Sequence, residues 1–142
     1  MKNFLSFLSN RDKETLIKNS AERTYKDGDT ILKQRDKNTA LYIISDGMVS
    51  VVSHIMGHDM EIERLYKDDV LGDLSFVDSQ PASADVVSDG DTTIHVVDIK
   101  TIEDIIRSDP MFYGRFYQAI SKVLSHRLRE ENRKAEEYLS TG

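Results

Sequence analysis

Residues 70–86 read Val-Leu-Gly-Asp-Leu-Ser-Phe-Val-Asp-Ser-Gln-Pro-Ala-Ser-Ala-Asp-Val. Two strand formers, Val70 and Leu71, run into Gly72. Leu74, Phe76 and Val77 then follow at spacings that suit one or two helical turns, and Asp78-Ser79-Gln80-Pro81 ends them. A glycine at the entry to a short helix lets the backbone come close to a ligand. Unsatisfied N–H groups at such a helix start attract an anion, phosphate above all. Ala82-Ser83-Ala84 is a run of small side chains with room for something to lie against the backbone, and a new strand begins at Asp85-Val86.

Outward from this stretch, short strand-like runs alternate with turn signals. Thr24-Tyr25 leads to the turn Lys26-Asp27-Gly28-Asp29, and Thr30-Ile31-Leu32 follows as a strand. Ala40-Leu41-Tyr42-Ile43-Ile44 is strongly strand-like. Ser45-Asp46-Gly47-Met48 carries the Asp-Gly pair of a tight hairpin, and Val49-Ser50-Val51-Val52 returns. A second hairpin turns near Gly57, and a further turn falls at Ser88-Asp89-Gly90-Asp91 before Thr93-Ile94-His95-Val96-Val97. Strands at this spacing predict a β-sandwich or barrel.

Helices flank the strands. Ser9 caps a helix that carries Asp12 three residues on and fades by Asn19-Ser20. After the last strand, Ile102, Ile105 and Ile106 share a helical face. Asp109 and Pro110 then open a final helix, with Asp109 as cap. Its apolar stripe, Phe112, Phe116, Ile120, Val123, Leu124 and Leu128, gives way to charged residues with Tyr138 and Leu139 as later apolar points.

The cassette at 70–86 resembles the phosphate-binding cassette of the cyclic-nucleotide-binding domain family. Gly72, Leu74, Pro81, Ser83, Ala84 and Val86 match the family pattern, and Ser75 stands at a position where the family has a small residue. The ordered glycines Gly28, Gly47 and Gly72 follow the family spacing, with Arg35 where the family often has glycine. The resemblance runs over 4–133 and implies an eight-stranded jelly roll, mainly β with flanking helices. Residues 1–22 would be N-terminal helices, 23–99 the β jelly roll and 100–142 the C-terminal helices of a single domain. It also implies a regulatory sensor domain for a small anionic ligand, cAMP or cGMP, held by Gly72, Asp73, Leu74, Ser75, Ala82, Ser83 and Ala84. Binding would shift the C-terminal helix, which in the family's transcription factors pairs two subunits, so a homodimer is expected.

Two departures alter the charged clamp. The family glutamate that holds the ribose 2′-hydroxyl is Asp73, one methylene shorter, and the family arginine that pairs with the cyclic phosphate is Ala82. Losing an arginine–phosphate pair removes about 1.5–3 kcal/mol, roughly one to two decades of affinity. The alternative is therefore a degenerate, non-binding dimerisation or docking module.

Composition narrows the function classes. The chain has 142 residues, enough for one domain with a proper core. It carries no cysteine, so neither a disulfide framework nor a cysteine metal site exists. A net charge of −6 with no long basic block argues against nucleic-acid binding. No apolar run reaches membrane-spanning length and no signal peptide is evident, which gives a cytoplasmic location as the default expectation. His54 and His58 flank Gly57 in what reads as a surface loop, without a zinc-protease motif. Asp27-Gly28-Asp29 and Asp89-Gly90-Asp91 lack the spaced ligands of a calcium loop. Ser75 and Ser83 sit in no nucleophile elbow. The expectation is no enzyme and no metal. A helix-turn-helix after the long helix would have no room in these 142 residues, so the chain, if complete, is expected to act through a partner protein or as a lone sensor.

Overall fold

The computed structural model describes residues 3–141, apart from the side chains of Leu74 and Thr141. Among the described residues six strands, β1 (Ala21–Tyr25), β2 (Thr30–Leu32), β3 (Ala40–Ile55), β4 (His58–Tyr66), β5 (Val70–Leu71) and β6 (Asp85–Asp98), are flanked by α1 (Asn10–Lys18), α3 (Ile99–Ser108) and α4 (Phe112–Thr141). A short helix, α2 (Asp73–Asp78), lies between β5 and β6, and a 3-10 turn spans Phe4–Phe7. The strand path is β1-β6-β3-β4, with β2 also on β6 and β5 also on β3, and every pairing is antiparallel.

The count is six rather than the expected eight because two expected turns are bends within long strands. Asp46-Gly47 does not close a hairpin. β3 continues through it, with register shifts against β6 on either side of Asp46. Gly47 has φ +92°, and a Cβ there would sit 2.5 Å from the Asp91 carbonyl oxygen, so the crossing strand occupies the space a side chain would need. Asp89-Gly90 is likewise inside β6, and the 27–29 turn locks onto it: the Gly90 N–H donates to Asp27 Oδ1 (2.8 Å) and the Gly28 N–H to the Ser88 carbonyl (2.9 Å). The second expected turn does close a hairpin. Met56 and Gly57 both take positive φ, the two-residue form whose twist suits antiparallel strands.

Both faces of β3 are buried over Ala40, Leu41, Tyr42, Ile43 and Ile44, which is why these five form a continuous apolar run rather than an alternation of apolar and polar residues. Ala40, Tyr42 and Ile44 face the inside of the roll with Val49, Leu71, Val86 and Ile94. Leu41 and Ile43 face the helices, with Phe4, Leu16, Phe76, Ile102, Phe112 and Phe116. Phe116 of α4 sits at the centre of that second cluster, stacked on Phe112 at 5.4 Å and edge-on to Phe4 and Phe76 at 5.9 and 5.8 Å.

Two helix details and one strand detail differ from the sequence reading. Ser9 caps α1 by accepting from the Asp12 N–H at 3.2 Å, but the Asp12 carboxylate does not close a capping box. It is buried and accepts a forked pair from Arg115 of α4, at 2.8 and 3.1 Å, which holds its pKa below the ordinary carboxylate value. Asp109 ends α3 instead of capping α4, and its side chain accepts from the same Arg115 at 2.8 Å. His54 is not in a loop. It lies on β3 with one ring nitrogen 2.6 Å from Asp85 and the other against Asp59, and those hydrogen bonds raise its pKa.

Gly72 is the tightly constrained glycine of the cassette. It takes φ +79°, and a Cβ there would lie 2.9 Å from the Ala40 carbonyl oxygen and 2.8 Å from the Asn38 amide. Gly72→Ala is expected to destabilise the domain by about 2–4 kcal/mol through backbone strain and overpacking, measured by urea denaturation.

Candidate functional site

A cavity of ≈130 Å³ opens between the cassette, β3, β4 and α4. Leu32, Val51, Ile62, Leu65, Leu71 and Val86 form its apolar wall. Gly72, Ala82 and Ala84 supply the small side, and Glu63, Asp73, Ser75, Ser83 and Arg127 the polar groups. Six of the expected site residues, Gly72, Asp73, Ser75, Ala82, Ser83 and Ala84, therefore line one space. The side chain of the seventh, Leu74, lies outside the described residues.

Each comes from a defined local structure. β5 pairs Val70 and Leu71 with Ile43 and Tyr42 and delivers the chain to Gly72. Gly72 then turns it into α2, whose Phe76 N–H donates to the Gly72 carbonyl at 3.0 Å. Asn38 braces the turn from behind. Its amide donates to the Ala40 carbonyl at 2.8 Å and its side-chain oxygen accepts from the Ala40 N–H at 3.1 Å. At the far lip, the Ala82 N–H donates to the Asp36 carbonyl (3.0 Å) and the Arg35 N–H donates to the Ala82 carbonyl (2.8 Å). Position 82 is thus fixed in space, and its methyl group forms part of the buried wall. Its N–H is already used within the protein. Ser83 is exposed and Ser75 is buried.

The sequence reading missed Arg127. This side chain reaches from α4 to donate to Asp73 Oδ2 at 2.7 Å and to the Val70 carbonyl at 2.9 Å, with its Nε 3.8 Å from Glu63. Asp73 is 3% exposed, so this guanidinium is what makes burial of its carboxylate tolerable. The signal was present: Arg127 continues the buried stripe four residues after Val123, and a charge on a buried helix face requires a partner. Glu63, from β4, was also missed. Burial pushes its pKa above the ordinary value, with Arg127 pulling it back.

The model of the cyclic nucleotide-binding domain family matches residues 22–109, more than half of the chain. The chain belongs to that family. It is 25% identical over 123 residues to cyclic GMP-binding protein C of Dictyostelium discoideum, covering 86% of this chain and 5% of that protein. It is 29% identical over 103 residues to the type II regulatory subunit of cAMP-dependent protein kinase of Drosophila melanogaster, covering 72% of this chain and 27% of that protein. The chain thus spans a small part of the length of these relatives. A crystal structure of a cyclic nucleotide-binding domain from Methylobacillus flagellatus superposes with a TM-score of 0.83 at 20% identity, covering 89% of this chain and 72% of the other.

Arg127→Ala should cost about 2–3 kcal/mol, because it strands a buried carboxylate. Asp73→Asn with Arg127→Ala should cost less than the sum of the single changes, and a double-mutant cycle by chemical denaturation should return a coupling of about 1 kcal/mol or more.

Proposed function

We propose that this domain is a regulatory sensor whose cassette cavity binds a small ligand and passes its occupancy to α4. One observation carries the reading. Arg127, on α4, is hydrogen-bonded both to Asp73 of the cassette helix and to the backbone that leads into it. Phe76 of the same cassette helix packs edge-on to Phe116 of α4. A ligand that engages Asp73 therefore competes with, or reinforces, a contact that holds the C-terminal helix. That gives it the differential interaction a conformational response needs. Membership of the family and the relatives named for cyclic GMP and cAMP support a cyclic nucleotide as the first ligand to test.

The domain acts by binding rather than by catalysis. Ser20 and His95 lie 3.1 Å apart, but the Ser20 hydroxyl donates to the Ile17 carbonyl at 2.7 Å, so the imidazole is its donor and not its base. Among the described residues no group of three His, Cys, Asp or Glu is placed to hold a metal, and no helix is long and apolar enough to cross a membrane. A cytoplasmic setting belongs to this reading, in keeping with the cysteine-free sequence.

The C-terminal helix pairs two copies in this proposal, and the seam lies at the far end of the apolar stripe and beyond it. Ile120 is 1% exposed within its own subunit's core, whereas Leu128 is 63% exposed and Leu139 also faces solvent. Leu128→Asp should give a folded monomer by light scattering where the unmodified chain gives a dimer. An unmodified chain that is monomeric at high concentration would remove the seam from this reading.

The missing phosphate clamp sets the ligand test. Ala82→Arg should strengthen cAMP or cGMP binding by about ten- to a hundredfold in calorimetric titrations at fixed salt. No gain on a folded variant would favour the second reading, a docking module with an idle cavity, for which the buried methyl at position 82 already speaks.

A further inference from the structure

We infer that the unmodified cavity prefers an uncharged, hydroxyl-bearing ligand of the nucleoside class over a cyclic phosphate. This rests on the sensor reading above and names its ligand class.

The charges around the cavity carry the inference. Among the described lining residues, Asp73 and Glu63 are carboxylates and Arg127 is the sole cation. Arg127 is not in reserve. Its two terminal nitrogens serve Asp73 and the Val70 carbonyl, and its Nε faces Glu63 at 3.8 Å. A phosphate would enter as a third negative charge beside a single cation, two of whose five N–H groups are already given to Asp73 and the Val70 carbonyl. In a partly buried site such like-charge contacts are poorly screened.

The cassette side offers no second cation. Position 82 carries a methyl group on a backbone whose N–H and carbonyl are both bonded to the 35–36 segment. Arg35 is the nearest basic residue on that segment, but its side chain lines a separate depression with Lys33, His54 and Asp85 and does not line the cavity. What the cavity does offer suits a neutral polyol attached to a flat ring. Carboxylates accept hydrogen bonds and donate none, so Asp73 and Glu63 match hydroxyl donors. Val51, Ile62 and Val86 present apolar surface beside them. A volume of ≈130 Å³ equals that of about four waters, the scale of a sugar ring, and the open mouth leaves space for the attached base.

The experiment is calorimetric titration of the full chain with adenosine, guanosine, cAMP and cGMP at one salt concentration. Expected is binding of at least one nucleoside about tenfold or more tighter than its own cyclic phosphate. Glu63→Gln should narrow that gap by improving the cyclic phosphate, and Ala82→Arg should reverse the order. Circular dichroism checks that each variant is folded. If the unmodified chain binds a cyclic nucleotide more tightly than the matching nucleoside, the uncharged-ligand inference is overturned while the sensor reading stands. If none of the four compounds binds, both are overturned together.

Discussion

Burial of the Asp73 carboxylate beneath the C-terminal helix is the constraint on which the site depends. A carboxylate taken out of water must be paired, and the partner here comes from 54 residues further along the chain. The pairing fixes three things at once: the orientation of the cassette helix, the depth at which α4 lies over the roll, and the charge that faces the cavity. The Val70 carbonyl adds a second anchor for the same guanidinium, so the backbone entering Gly72 and the helix above it are held by one side chain.

A second ion pair does similar work at the other end of the helical layer. Arg115 forks onto buried Asp12 and also reaches Asp109, which ties α1, the end of α3 and α4 together around the Phe116 cluster. The two arginines flank the middle of the apolar stripe of α4. Between them Phe116, Ile120 and Val123 are consumed by the subunit's own core. Beyond Arg127 most residues of the helix are exposed, Leu128 and Leu139 among them.

The frame of the site was legible in the sequence because it is local. Gly72 announces a backbone turn, the Leu74, Phe76 and Val77 spacing announces a short helix, and the small residues at 82–84 announce a wall without bulk. The cap at Ser9 and the hairpin at Gly57 were legible for the same reason. Local signals misled where a turn motif served a bend. Asp46-Gly47 and Asp89-Gly90 have hairpin chemistry, yet both lie inside long strands. There the positive φ of glycine lets the strand bend; at Gly47 the facing strand also fills the space a side chain would need, whereas Gly90 faces open space.

The sequence by itself determined a mainly β domain with helices at both ends, a glycine-led cassette, and the absence of an arginine at position 82. Those follow from periodicity, turn chemistry and residue identity within short windows. Only the tertiary structure decided that Arg127 is the cavity's cation, that Glu63 shares the lining, and that Ile120 belongs to the core rather than to a seam. Each of these depends on which distant segment packs against which, and charge pairing across 54 residues leaves no periodic trace along the chain.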